Sequence, residues 1–500
     1  MEAITSIEMY VADRNAEWLG VPRLVLMENA GAAVARIALS SFPDARRILV
    51  VAGTGDNGGD GMVAARHLHG AGREVRVIAL SEPKEELAKI NFEALRKTRV
   101  KIAIANTPEE LLALQSWFTW ADLIIDAVLG TGIKGKLREP HSTAIDLMNL
   151  APAPKIAVDV PSGLDPDTGE VRDKAVKAAI TVTFHKAKAG LLAQSAAAYV
   201  GRLVVESIGI PPEAELYVGP GDFRLASFAR RADSKKGDHG RVLIVGGSAE
   251  YSGAPMYVAL AALRTGVDLA ILAEPEPAAA AAKAYSPDLI AVPLPGDRLK
   301  PTHVERILSL AQKADVVAIG PGLGVEPETQ EAVREIFAKL SGTPIVVDAD
   351  AIKALAGSRA SGPAVFTPHA GEFKILTGVE PPQDLEERVK TVREQAARMN
   401  SVILLKGRYD VISDGRRVKV NITGTPAMTV GGTGDVLTGL VAGLATKTKD
   451  LFVAASIAAF VNGLAGEEAA RELGFHITAS DLIRYIPSVI RRFADEFVKS

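Results

Sequence analysis

The chain has 500 residues, 48% of them hydrophobic and 23% charged, and a formal net charge of −3. That length exceeds what one hydrophobic core supports and points to two domains, and the near-neutral charge leaves no electrostatic footprint for nucleic acid. There is no cysteine, which excludes disulfides, thiolate nucleophiles and cysteine-ligated metals. No signal peptide and no apolar run of membrane length is read in the sequence, so a cytoplasmic homo-oligomer acting on small molecules, without membrane or nucleic-acid partners, is expected.

Apolar strands, glycine-rich turns and amphipathic helices alternate along the chain, which predicts α/β architecture with mainly parallel sheets. In the first half, residues 47–52, 74–80, 122–126, 155–160, 180–184 and 202–208 read as strands. In the second half, residues 241–245, 268–273, 315–319, 344–348, 364–367 and 401–406 do the same, and the alanine run 278–282 reads as helix. The Pro211-Pro212 pair and the basic stretch 230–237 place a junction within 211–235, with domains at 1–215 and 225–500.

In the first half, the strand 47–52 runs into Gly53-Thr54-Gly55-Asp56-Asn57-Gly58-Gly59-Asp60-Gly61. Gly53, Gly55 and Gly58 satisfy the GxGxxG pattern, but the ribose-binding acid would have to be the poorly placed Glu82, and two carboxylates in the loop oppose a pyrophosphate. Asp126 and Asp159 end two further strands, and Ser162 follows the second. The carboxyl ends of parallel strands line a ligand crevice, so Asn57, Asp126 and Ser162 can share an oxygen-rich site for a hard cation of modest charge density. Taken singly, each acid reads first as a helix cap or turn ligand.

With Leu26-Met27-Glu28-Asn29-Ala30-Gly31 and the segments Asp126-Ala127-Val128-Leu129-Gly130-Thr131-Gly132 and Asp159-Val160-Pro161-Ser162-Gly163-Leu164-Asp165, this half resembles the YjeF N-terminal family, the NAD(P)HX epimerases, over about residues 1–215. The resemblance implies a potassium ion on Asn57, Asp126 and Ser162. It implies substrate contacts at Asp56, Asn57, Gly58, Gly59 and Asp60, then at Gly130, Thr131, Gly132, Ile133, Lys134, Gly135 and Lys136, and at Asp159. The family usually has Asn where Asp56 stands. Asp159 is the acid/base candidate for inversion at the hydrated C6 of the nicotinamide ring. Lys186 is either a second catalytic or ligand-orienting group or a solvated lysine after a strand.

The second half carries Gly431-Gly432-Thr433-Gly434-Asp435, followed by the small apolar stretch 436–444. A glycine loop opening into a helix presents backbone N–H groups and the helix dipole to an anion. Asp435 would repel a bound phosphate unless it accepts a proton from a substrate hydroxyl. The Walker pattern GxxxxGK[ST] is absent. Glycine-rich or turn segments at 246–254, 320–324 and 367–372 each follow a strand. His369 reads as structural or as a ligand contact, and Glu372 as a helix-start carboxylate. Lys406-Gly407-Arg408-Tyr409-Asp410 reads either as cations for phosphates or as an exposed hairpin turn.

In this order the pieces resemble the YjeF C-terminal family, the ribokinase-like NAD(P)HX dehydratases, over about residues 225–500. That family more often has Asn at Thr425, Gly at Ala427 and Pro at Ala370. The resemblance implies NAD(P)HX contacts at Ala254, Gly322, His369 and Asp435. It places an adenine nucleotide on Lys406, Gly407, Arg408, Tyr409 and Asp410 and along 425–434, with Thr433 and Gly434 in the anion-binding loop and Mg2+ beside them. Together the halves resemble the bifunctional NAD(P)HX-repair enzymes. The implied fold is two three-layer α/β/α domains, Rossmann-like and then ribokinase-like. The implied function is epimerisation of R- and S-NAD(P)HX and dehydration of the S form, with ADP as the phosphoryl donor and ATP as the alternative. Rival readings are a ribokinase-like small-molecule kinase with an N-terminal ligand-binding or scaffold module, and a plain nicotinamide oxidoreductase resting on GxGxxG alone.

Overall fold

The computed structural model describes residues 2–131 and 136–498, and the chain divides into two compact units, Met1–Ala214 and Glu215–Ser500. The strands of the first unit are β1 (Ala3–Ile4), β2 (Arg47–Ala52), β3 (Glu74–Ala79), β4 (Lys101–Ile104), β5 (Leu123–Ala127), β6 (Lys155–Val158), β7 (Ile180–Phe184), β8 (Ala187–Lys188) and β9 (Arg202–Glu206). Seven of them form a parallel sheet in the order β4-β3-β2-β5-β6-β7-β9, and β1 pairs with β8 apart from it. The central strands are continuous apolar runs because both faces of the sheet are covered. In β2, Ile48, Val50 and Ala52 pack into one core while Leu49 and Val51 pack into the other. Strand order reverses between β2 and β5, which opens a crevice at their carboxyl ends.

The second unit contains β10 (Arg241–Val245), β11 (Leu269–Pro275), β12 (Ile290–Leu294), β13 (Val316–Ile319), β14 (Ile345–Val347), β15 (Ala364–Phe366), β16 (Val402–Leu405), β17 (Asp410–Ser413) and β18 (Val418–Asn421). They form one sheet in the order β12-β11-β10-β13-β14-β15-β16-β17-β18, parallel as far as β16 and antiparallel from there. Val242 and Ile244 of β10 face one core, and Leu243 and Val245 the other. Both units are thus three-layer α/β/α structures, and in the second the reversal falls between β10 and β13.

The strands that escape the sequence pattern are β1, β4, β8, β12, β17 and β18. β4 and β12 are sheet edges with exposed residues such as Ile104 and Ile290, so they lack the apolar run of a central strand. Helix Glu276–Tyr285 takes up the alanine run as expected. Two helices, Arg23–Ser41 and Leu451–Leu473, are long and apolar enough to cross a bilayer, which corrects the expectation that no such run exists. In Leu451–Leu473, 89% of the apolar window is buried inside the protein. Its apolarity is that of a helix in the middle of a core.

Candidate active sites

In the first unit the backbone of Gly53 passes directly under the strand end of β5. A β-carbon at Gly53 would lie 2.0 Å from Val128 O, so only glycine fits. Helix Asp56–Gly70 begins inside the loop and turns its first residues to the crevice. A cavity of about 220 Å³ opens there, and Asp56, Asn57, Asp60, Gly130, Thr131 and Asp159 line it. Gly58 and Gly59 are buried behind it in the first helical turn, and Lys136 is exposed. Gly132, Ile133, Lys134 and Gly135 lie outside the described residues.

Asp159 adopts left-handed backbone at φ 64°, a conformation that Asp tolerates better than most residues. Its Oδ1 accepts from Thr183 Oγ1 at 3.0 Å, Phe184 N at 3.3 Å and Lys188 Nζ at 2.5 Å. Lys188 is 1% exposed and also donates to Thr183 Oγ1 at 3.2 Å and Phe184 O at 3.1 Å. The lysine that serves Asp159 is therefore Lys188. Lys186, the sequence candidate, pairs with Glu2 at 3.0 Å. His185, at φ 66°, turns the chain between β7 and β8, just ahead of the two lysines.

Helix Ser6–Trp18 brings Asp13 to the same cavity. Burial pushes the Asp13 carboxyl up to about 7, with Lys188 opposing and Asp159 adding to the shift. Burial, and then repulsion from Asp159, Asp56 and Asp13, hold Asp60 well above the usual carboxylate range. Asp56 pairs with Arg23 at 2.8 Å, which compensates a charge that an asparagine would not carry. Several carboxyls and a buried lysine around one small cavity make a site for proton transfer.

Beside this cavity Ser162 Oγ donates to Asp126 Oδ1 at 2.6 Å and Ser162 N to Oδ2 at 2.8 Å, while Leu129 N donates to Ser162 Oγ at 2.8 Å. Asp126 is fully buried, and burial pushes it up to about 6 against the hydrogen bonds from Ser162 and Val128 N. No basic side chain figures among the groups acting on it. Asn57 packs at Gly130, and its Nδ2 is buried without a partner among the described residues. Turning that amide over would set Oδ1 in its place. A buried carboxylate without a counter-charge, one hydroxyl and one amide oxygen fit a monovalent cation.

In the second unit Gly432, at φ 92°, caps helix Thr433–Leu444 in left-handed backbone that a side chain would strain. Tyr257 packs on Gly432, where a β-carbon would lie 2.8 Å from its ring. Asp435 falls in the first helical turn, half-buried. Burial pushes its carboxyl up to about 7, Asp348 adds to the shift, Lys406 opposes it, and Glu372 and Asp350 add further. Lys406 Nζ lies 2.9 Å from Asp348 Oδ1 and 4.0 Å from Glu372 Oε2. Burial opposes the Lys406 charge, but Asp348, Glu372 and Asp435 outweigh it and hold the ammonium above the ordinary lysine range. Thr438 Oγ1, one turn after Asp435, fixes the other oxygen of Asp348 at 2.7 Å. Ala349, in left-handed backbone at φ 51°, makes the sharp turn that follows Asp348.

A cavity of about 810 Å³ adjoins this cluster at Lys406, lined by His369, Lys406, Gly407, Arg408, Asp410, Thr433 and Gly434 together with residues from 423–430. The two segments expected to hold a nucleotide thus face one space. Residues 406–409 are also a hairpin turn between β16 and β17, so the two readings of that segment describe the same object. Asp410 turns into the hairpin, accepting from Gly407 N and Asn421 Nδ2 at 3.0 Å each. Arg408 stacks 5.0 Å from the Tyr409 ring centroid. His369 caps helix Ala370–Thr377 in a capping box with Glu372. Its Nδ1 accepts from Gly371 N at 3.0 Å, which leaves Nε2 as the proton-bearing nitrogen on an exposed ring. Ala254 and Gly322 adjoin each other, a β-carbon at Gly322 lying 3.6 Å from Ala254 Cβ, and neither lines the cavity.

Comparison with known proteins follows the same division. Residues 23–190 match the family model described as YjeF-related protein N-terminus, and residues 242–488 match that of NAD(P)H-hydrate dehydratase. The bifunctional NAD(P)H-hydrate repair enzyme of Pyrobaculum aerophilum is 74% identical over 501 residues, covering 100% of both chains. The chain belongs to the bifunctional NAD(P)H-hydrate repair enzyme family. The same enzyme of Hyperthermus butylicus is 48% identical, covering 98% of this chain and 92% of its own. Among solved structures, a ribokinase-like superfamily protein of Enterococcus faecalis aligns with TM-score 0.50 and 25% identity over 56% of this chain and 96% of its own.

For a member of this repair-enzyme family, the polar residues at the sites that the sequence did not single out include Asp13, Arg23, Lys188 and Asp348. Asp13 and Arg23 sit on helices remote in sequence from the strand-end loops. Asp348 had a signal, an acid at the end of an apolar strand, shared with Asp126 and Asp159.

Proposed function

We propose that the chain repairs hydrated NAD(P)H in two steps, epimerisation in the first unit and ADP-dependent dehydration of S-NAD(P)HX in the second. The observation that carries this reading is Asp435, a half-buried carboxyl held near neutrality in the first turn of helix Thr433–Leu444, whose Thr433 and Gly434 line a nucleotide-sized cavity together with Lys406 of the Lys406–Asp348 pair.

In the first unit the C6 hydroxyl sits on a carbon bonded to the ring nitrogen, so inversion proceeds by opening and reclosing at that carbon. One group must accept the hydroxyl proton and one must return it. Asp159, oriented by Lys188 and Thr183, accepts it, and Asp13, pushed up to about 7 on the same cavity, is placed to return it. Asn57, Asp126 and Ser162 would hold a potassium ion that braces the strand ends under the substrate.

In the second unit hydroxide is a poor leaving group and phosphate a good one. Asp435 takes the proton as the C6 oxygen attacks the terminal phosphorus of ADP and AMP departs. The C6–O bond then breaks with its electrons on phosphate, and loss of a C5 proton restores the C5–C6 double bond. Backbone N–H groups at the start of helix Thr433–Leu444 face the developing phosphate charge. Asp348, Glu372 and Asp435 exceed the single charge of Lys406, a surplus that suits a divalent cation arriving with the nucleotide phosphates, where it would screen their charge. The substrates are cofactors of cytoplasmic metabolism, and we place the enzyme there.

The test is incubation of racemic NADHX with ADP or ATP and magnesium. Return of reduced-nicotinamide absorbance with AMP or ADP release is expected. A stable phosphorylated product without that absorbance would overturn the reading in favour of a small-molecule kinase.

A further inference from the structure

Asn462 stands in the middle of helix Leu451–Leu473 and is 7% exposed, with almost entirely apolar neighbours along that helix. Its Oδ1 is buried and has no hydrogen-bond partner among the described residues. A buried amide carbonyl left unpaired is costly and calls for a missing partner. The contrast with Asn421 is sharp. That buried amide donates to Asp410 Oδ2 at 3.0 Å and to Ala459 O at 3.2 Å, and its Oδ1 accepts from Thr423 Oγ1 at 2.7 Å. Asn462 instead lines the cavity of about 810 Å³, beside the apolar side chains of Met428, Val430 and Leu437.

Its position is fixed from both sides. Gly463 lets the helix touch the loop, a β-carbon there lying 2.1 Å from Thr423 Oγ1. Glu467, further along the same helix, accepts from Gly424 N at 2.8 Å. The amide is therefore held against a cavity with an apolar wall, as a flat ring with a polar edge requires.

We propose that Asn462 reads the 6-amino edge of the purine in the nucleotide that this cavity binds, and so selects adenine over 6-oxo purines. The inference rests on the assignment of the cavity to the nucleotide. An asparagine amide accepts at Oδ1 and donates at Nδ2. On its N7 side a 6-amino purine presents a donor beside a ring-nitrogen acceptor, the complementary pair, whereas a 6-oxo purine presents two acceptors there and leaves Oδ1 unpaired. Asn462 is a specificity residue here, remote from the transferred phosphoryl group.

The experiment measures dehydration of S-NADHX by the full chain with ADP and with inosine diphosphate, in wild type and in Asn462→Ala. Wild type should prefer ADP. In the variant the ratio of kcat/KM for the two nucleotides should fall about tenfold or more, through KM for ADP, with kcat at saturation kept. Asn462→Ser, which retains a small polar group, repeats the comparison if alanine disturbs the helix. An unchanged ratio, a wild type indifferent to the base, or a loss of kcat at constant ratio overturns the role and leaves a buried water as the partner of Oδ1. A wild type that dehydrates with neither nucleotide overturns the dehydratase reading beneath it.

Discussion

In the first unit Asp159 shares an oxygen with a lysine that is 1% exposed, in a cavity of about 220 Å³. In the second, Asp435 meets Lys406 through a cluster shared with Asp348 and Glu372, next to a cavity of about 810 Å³. Both carboxylates lie at the carboxyl ends of a doubly wound sheet, and both sites use left-handed backbone to aim an acid, at Asp159 itself and at Ala349 after Asp348. The difference is in what surrounds them. The small site gathers Asp13, Asp56, Asp60 and Asp159 at one helix start beside a buried lysine, which suits proton traffic on a single bound molecule. The large site sets its helix start beside a hairpin with cationic side chains and a larger cavity, which suits two substrates and phosphoryl transfer. One fold thus serves two chemistries through its loops.

The largest expected effect separates the two carboxylates. Asp435→Asn keeps the shape and removes the base, so dehydration should fall by roughly 10²–10⁴-fold while epimerisation, followed by NMR or chiral chromatography, continues at the wild-type rate. A dehydratase rate within a fewfold of wild type would remove Asp435 from its role. Lys188→Met should be nearly as severe on the other side. It leaves Asp159 beside Asp13 and Asp60 without the buried cation, and epimerase kcat should drop by about tenfold or more, whereas Lys186→Met, which breaks the pair with Glu2, should leave it within a fewfold of wild type.

A subtler contrast concerns pH. Asp435 must be ionised to accept a proton, and its carboxyl titrates at about 7. Dehydratase kcat/KM should therefore fall as pH drops through that value. Lys406 is the cation that opposes the rise. In Lys406→Met the acid limb should move to higher pH, and a limb that stays in place would mean that the lysine does not act on Asp435.

The smallest effect lies outside both sites. Glu274 is fully buried at the end of β11, neither of its oxygens has a hydrogen-bond partner among the described residues, and burial pushes it from 4.5 up to about 7. The folded protein holds this proton to higher pH than the unfolded chain does, so stability is lost as pH rises between those two values. Glu274→Gln should flatten that loss and gain on the order of 2–3 kcal/mol at mildly alkaline pH by denaturant unfolding.

Much of this was legible in the sequence because the decisive groups are contiguous. Gly431 to Asp435 and Gly53 to Gly61 each carry a whole functional element in one stretch, and the central strands announce themselves as buried apolar runs. The rest depends on residues that the fold brings together. Asp13 looks like one polar position of a helix, and Lys188 is two residues from the lysine that the pattern favours. The turn at His185 that decides between them leaves no compositional mark. Asn462 is a single polar residue in an apolar helix, and only the absence of a partner for its oxygen distinguishes it. The edge strands β4 and β12 lack the apolar run because one side of each faces solvent.

The most direct test of two successive sites in one chain is to mix Asp159→Ala protein with Asp435→Asn protein and supply racemic NADHX, ADP and magnesium, within a time too short for spontaneous epimerisation. Alone, the first should recover NADH from half of the pool and the second essentially none. Mixed, they should recover all of it. A mixture that stops at half, or recovery of NADH by the Asp435→Asn protein alone, would contradict the assignment.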